Sequence, residues 1–200
     1  MESINKTTEK VLLKLLKEPY NKYTATLLAE DLGITRQGIW KILNKLLCDK
    51  LITIESIGKS KKSAVIISLE WKNPITIRTL SLLLTKEGSD YERWRTNFLP
   101  LEDHVEFLIL YGSILHFPKD AGDIDIIVVV KNKKDFKLIG DLVSKIQKTQ
   151  TKKIHLIDLS SQEFKEELKK QNKAYIDSLK KGIILYKQDN YIKFIESLRI

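Results

Sequence analysis

Residues 111–130 read YGSILHFPKDAGDIDIIVVV, and no other stretch limits the fold as much. Ile126 to Val130 are five consecutive β-branched residues, whose stiff side chains favour a strand and whose unbroken apolarity requires cover on both faces. A sheet with helices packed against it satisfies that demand; a helical bundle or an open hairpin does not. Asp123 and Asp125 head this strand with Ile124 between them, and strand alternation projects both carboxylates from one face while Ile124 points into the core. Two like charges so placed repel unless a cation matches them. An earlier apolar run ends in Gly112-Ser113, with nine residues between Ser113 and Asp123. Glycine allows a tight turn there, and Ser113 is expected to cap a short helix with its hydroxyl and the following amides free to face a phosphate.

A phosphate cradle beside a cation-binding carboxylate pair supplies the parts for nucleotidyl transfer. The order Gly112, Ser113, spacer, Asp123, Asp125 between two apolar runs resembles the signature of the DNA polymerase β-like nucleotidyltransferase superfamily, most of all its small "minimal nucleotidyltransferase" branch. The resemblance covers roughly residues 105–186. It implies Mg²⁺ (or Mn²⁺) held by Asp123 and Asp125, a nucleoside triphosphate as substrate, and its phosphates held at Gly112 and Ser113, with Lys119 either adding positive charge or lying free on the surface. Members usually carry a third carboxylate on the next strand, and here that strand reads Lys153-Ile154-His155-Leu156-Ile157-Asp158. Strand-to-strand alignment puts His155 at the acid's position, while Asp158 falls on the opposite face unless a bulge intervenes. His155 is thus read either as a ligand or base completing the catalytic set, or as a half-buried histidine satisfied by its neighbours. The branch's arginine soon after Ser113 is missing, and ILHFP is apolar for a polyphosphate mouth.

The first third of the chain has a different character. Val11, Leu12, Leu15 and Leu16 recur at helical spacing before Pro19; Thr24 caps a second helix that ends at Gly33, and Thr35 caps a third. Two strands, 51–57 and 64–69, follow around the basic turn GKSKKS. Three helices and such a hairpin resemble the winged helix-turn-helix family. On that resemblance Arg36, Gln37 and Lys41 face the major groove, with Lys59, Lys61 and Lys62 on phosphates or in the minor groove. Ile39, Trp40, Leu43, Leu46 and Leu47 are assigned to the packing face, and Cys48, among leucines, to the core.

Residues 73–100 read as two amphipathic helices rather than a Gly/Ser linker. Their leucines exceed what one helix face needs, which leaves open packing on both flanking domains, a homodimer, or a helical partner of the toxin–antitoxin kind. The expected organisation is therefore α/β (α+β): a winged helix-turn-helix domain over 1–72, a helical linker over 73–100, and a small mixed-sheet nucleotidyltransferase-like domain over 101–200. Net charge is +9 at pH 7, with 13 Lys and Arg against 8 Asp and Glu in residues 1–72 and 22 against 18 beyond. The denser excess in the first part favours a polyanion there, DNA first and RNA second. No apolar run approaches the ~20 residues of a membrane span, so no membrane partner and a cytoplasmic location are expected. His104, His116 and His155 lack zinc-ligand spacing.

Two functions fit these observations. One is a Mg²⁺-dependent nucleotidyltransferase placing a nucleoside monophosphate on an acceptor, with nucleic-acid binding by the winged helix. The other is a DNA-binding transcription regulator whose second domain keeps nucleotide binding but has lost catalysis.

Overall fold

A computed structural model of the chain describes residues 5–57 and 64–198. They form two compact units, one up to Leu83 and the other Leu84–Leu198.

The first unit begins with α1 (Lys6–Lys17), capped by Asn5, whose carboxamide oxygen accepts from the Thr8 amide. The next helix, α2 (Ala25–Leu32), is capped by Thr24 and ends at Gly33, whose left-handed backbone (φ 64°) lets the chain reverse. Thr35 Oγ1 then accepts from the Gly38 amide at 3.0 Å and starts α3 (Arg36–Cys48). The two caps and the glycine turn are those expected from the sequence. Strands β1 (Ile52–Ile57) and β2 (Ala64–Leu69) pair antiparallel, and Ile67 also donates to the Tyr23 carbonyl at 2.8 Å. Val11, Leu12, Leu16, Leu28, Ile39, Leu43, Leu46, Ile52 and Ile67 are buried among these elements. The result is a winged helix-turn-helix.

A polar clasp closes its base. Lys14 Nζ contacts Glu18 at 2.8 Å and Asp31 at 2.9 Å, while the Tyr23 hydroxyl donates to Glu18. Burial alone lowers a lysine's pKa; the hydrogen bonds to Glu18, Asp31 and Tyr23 outweigh it and raise that of Lys14. Two expectations fail here. Cys48 and Leu47 are exposed, although Leu43 and Leu46 on the same helix are buried. Trp40, assigned to the packing face, is half-buried.

The boundary between the units falls within α4 (Pro74–Ser89). In the second unit, α5 (Glu92–Phe98) passes into a 3₁₀ segment, Leu99–His104, since Pro100 cannot donate to continue an α-helix. A four-stranded sheet follows in the order β5-β4-β3-β6. Its strands are β3 (Phe107–Tyr111), β4 (Asp123–Val130), β5 (Lys153–Ser160) and β6 (Ile183–Tyr186). Strand β4 is antiparallel to β3 and parallel to β5, with α6 (Phe136–Gln147) as the crossover. After β5 come α7 (Ser161–Lys169) and α8 (Lys173–Lys181), and α9 (Gln188–Glu196) follows β6.

Both faces of β4 are covered, as its β-branched run requires. On one face Leu108, Ile124, Ile126, Val128 and Val130 join Trp94, Phe98, Ile139 and Val143. On the other, Phe107 meets Tyr191 edge-on at 5.4 Å and Phe164 stacks on Phe194 at 5.2 Å. Burying a side chain of this size contributes roughly 1.5–3 kcal/mol. A capping box at Ser160 and Glu163 opens α7 as the sequence predicts. Among the described residues, no helix is long and apolar enough to cross a membrane.

Candidate metal and nucleotide site

The carboxylates sit where an interior strand emerges from its cover. Ile124 is 1% exposed and fixed in the core, which leaves its neighbours Asp123 and Asp125 on the other face, both half-buried. Parallel pairing sets Asp123 beside Lys153 and Asp125 beside His155. The pairing runs without a break from Asp123 and Lys153 to Val130 and Ser160, so no bulge turns Asp158, paired with Val128, onto the carboxylate face. Position 155 is therefore the one that meets the acid pair. His155 Nδ1 lies 3.2 Å from Asp125 Oδ1, a hydrogen bond when Nδ1 carries the proton. The imidazole is 62% exposed, against 17% for Asp125, so it has a neighbour in Asp125 but is not half-buried.

Gly112 approaches the same carboxylate from β3. Its backbone is left-handed (φ 83°), and a Cβ built there would overlap Asp125 Oδ2 and stand 3.0 Å from Asp125 Cγ. Glycine is required twice over, for the torsion and for the space. Ser113 does not cap a helix. Gly112 is the cap residue, Ser113 is the first residue of a single 3₁₀ turn, Ser113–Leu115, and it is exposed at the rim. The spacer after it is held by Lys152, whose ammonium donates to the carbonyls of Lys119 and Ala121. Lys119 itself is exposed.

The two carboxylates sit close enough to disfavour each other's charge. Burial first, and then the charge of Asp123, push the Asp125 carboxyl above its ordinary range, with His155 pulling the other way. One donor atom from each of Asp123, Asp125 and His155 lies within 4.8 Å of the others. Two anionic oxygens and an imidazole nitrogen converging on one point fit a divalent ion. Tyr111, the last residue of β3 and the register partner of Asp125, belongs to the same rim although no motif pointed to it. Burial, then Asp125, Tyr175 and Asp123, push its hydroxyl up to about 12. Its signal in the sequence was only its place before Gly112.

The predicted nucleic-acid residues lie in the first unit. Arg36, Gln37 and Lys41 are exposed on α3; Gln37 and Lys41 lie on the side away from Ile39 and Leu43, and Arg36 is the helix's first residue. Lys59, Lys61 and Lys62 lie outside the described residues.

A mixed sheet with a Gly-Ser turn facing an Asp-x-Asp strand head defines a nucleotidyltransferase-type domain. Residues 96–191 match the family model "Polymerase beta, Nucleotidyltransferase". The chain thus carries a domain of the polymerase β nucleotidyltransferase family behind a winged helix-turn-helix. No curated protein is matched. Among solved structures it is similar to a double mutant of Lactococcus lactis ZitR, at 17% identity and TM-score 0.37, over 74% of this chain and 75% of that one. Another ZitR structure, described as that of a zinc-responsive MarR family member, matches at 17% and 0.35, over 74% and 76%. The adhesin competence repressor AdcR of Streptococcus pyogenes matches at 14% and 0.33, over 74% and 83%.

Proposed function

We propose that the chain is a divalent-metal-dependent nucleotidyltransferase that moves a nucleoside monophosphate from a nucleoside triphosphate to an acceptor selected through the winged helix. The convergence of Asp123, Asp125 and His155 against Gly112 is the observation that carries this reading. In the proposed reaction an acceptor hydroxyl oxygen bonds to the α-phosphorus, the bond to the bridging oxygen breaks, pyrophosphate leaves, and the acceptor's proton passes to water. Asp123 and Asp125 hold Mg²⁺ or Mn²⁺, which when bound offsets the charge gathering on the phosphate oxygens. His155 fills the place of the third acid. Gly112 brings its backbone against Asp125 without a side chain intervening, and the exposed Ser113 offers its hydroxyl to the outer phosphates. Arg36, Gln37 and Lys41 engage DNA or RNA.

The test is transfer of label from α-labelled nucleoside triphosphates, with Mg²⁺ or Mn²⁺, onto the protein, bulk DNA and RNA, and a host lysate. Label that needs intact Asp123 and Asp125 supports the reading, and its location identifies the acceptor class. Label retained in an Asp123→Ala, Asp125→Ala double variant overturns it.

His155 in place of a carboxylate, with Asp158 on the opposite face, favours a second reading. Here the domain binds nucleotide without transferring it, and the chain is a DNA-binding regulator. Nucleotide binding without label transfer, together with sequence-specific DNA binding that weakens steeply with salt, supports it. Weak, sequence-indifferent binding rules it out.

A further inference from the structure

We infer that the Asp123–Asp125–His155 site selects Mn²⁺ over Mg²⁺, with His155 Nδ1 as a direct ligand; this rests on the proposed metal-dependent reading of the same site. The donor set is fixed by register. Asp125 and His155 are partners across β4 and β5, and the one carboxylate within the paired part of β5, Asp158, faces the opposite side. No third oxygen from that strand replaces the imidazole.

The spacing suits two ligands of one ion. Bonds of about 2.1 Å at right angles hold their donor atoms about 3 Å apart, and His155 Nδ1 stands 3.2 Å from Asp125 Oδ1. With all three donors within 4.8 Å, one ion reaches each of them after small side-chain adjustments. Mg²⁺ demands oxygen and dehydrates reluctantly, so it gains little from an imidazole. First-row transition ions accept nitrogen and oxygen together, and affinity rises along that series. In a structural site Zn²⁺ takes four protein ligands in a closed tetrahedral shell, one more than the three donors here. The open rim here, with His155 62% exposed, leaves room for water and phosphate oxygens and suits a six-coordinate ion. Lys153, beside Asp123 in register, repels either cation equally and so does not alter the preference.

The experiment uses the full chain without nucleotide. Mn²⁺ binding is followed by the loss of the free-ion paramagnetic resonance signal, with Mg²⁺ as competitor, and pulsed resonance reads nitrogen coupled to the bound ion. The wild-type protein is expected to show directly coordinated ¹⁴N. His155→Asp should lose that coupling, and its Mn²⁺-over-Mg²⁺ preference should fall at least ~10-fold, since even a ligand's supporting group changes metal affinity 10–100-fold. Absence of Mn²⁺ binding, bound Mn²⁺ without nitrogen coupling, an unchanged preference in His155→Asp, or binding that survives the Asp123→Ala, Asp125→Ala double variant each overturns the inference. Nitrogen-coupled Mn²⁺ with no label transfer under any ion leaves the ion assignment standing and removes the transferase reading instead.

Discussion

The backbone of Gly112 lies so close to the carboxylate of Asp125 that a methyl group on it would occupy the space of Oδ2. Two strands are involved, since Gly112 follows β3 and Asp125 heads β4. The turn and the carboxylate therefore place one another, and a change at either is felt at both.

Gly112→Ala is expected to act on both function and stability. The left-handed torsion alone destabilises by about 1 kcal/mol or more once a Cβ is present. Displacement of Asp125 lowers label transfer by roughly 100-fold, the scale of an ångström-sized misplacement in a reacting site. A melting curve and a transfer assay on the same variant separate the two effects; unchanged transfer would show that Asp125 is not held by this contact.

Asp125→Asn should stabilise the metal-free protein while abolishing transfer. Burial and the Asp123 charge raise the Asp125 carboxyl, so its ionised form is disfavoured in the folded state. For an acid raised on folding, stability falls as pH rises through the folded value and returns as pH falls. An amide of the same shape removes the repulsion, and His155 keeps an oxygen to meet. The expected readout is a higher thermal midpoint near neutral pH, with the gain shrinking in acid. A lower midpoint at neutral pH would mean that His155 already balances the pair.

Glu163 gives an opposite pH signature. Hydrogen bonds from Lys133 first, and then from the Ser160 amide and hydroxyl, hold its carboxyl down at about 2, against 4.5 for an ordinary glutamate. A depressed acid contributes stability that is complete above its unfolded value and is lost as pH falls towards the folded one. Glu163→Gln should flatten the decline of stability between pH 4.5 and 2. Ser160→Ala, which removes the cap of α7, should cost about 1 kcal/mol at neutral pH. Urea unfolding across that pH range checks both.

On α3, Arg36→Ala and Lys41→Ala should each weaken nucleic-acid binding and lower the salt slope by about 0.9 for every phosphate that the variant no longer neutralises. Arg36 or Gln37 reading a base edge would add a loss of sequence preference of roughly 1–3 kcal/mol at one position. Binding isotherms at several salt concentrations make the distinction, and slopes unchanged in both variants would remove α3 from the interface.

Much of this protein was legible in the order of its residues. Thr24, Gly33 and Thr35 stop and start helices through hydrogen bonds within a few positions, and Ser160 with Glu163 does the same at α7. Asp123, Ile124 and Asp125 alternate by strand geometry alone, so the acids' common face needed no fold to predict it. Where neighbours distant in sequence decide, the reading failed. Leu47 and Cys48 carry core-like side chains, yet they are exposed beside the buried Leu43 and Leu46, since what packs on a helix decides which of its residues are covered. Ser113 carries a capping hydroxyl, yet the left-handed turn at Gly112 makes it the first residue of the 3₁₀ turn instead.

The chemistry divides along the same line. Sequence alone determined the carboxylate pair, the glycine before it and the histidine on the next strand, because each is a matter of residue type and local spacing. Only the tertiary structure decided that Gly112 packs against Asp125 and that His155, not Asp158, stands beside it. Those relations follow from antiparallel pairing of β3 with β4 and parallel pairing of β4 with β5. The register of such pairs is set by the buried faces of the whole sheet, a quantity no local stretch contains.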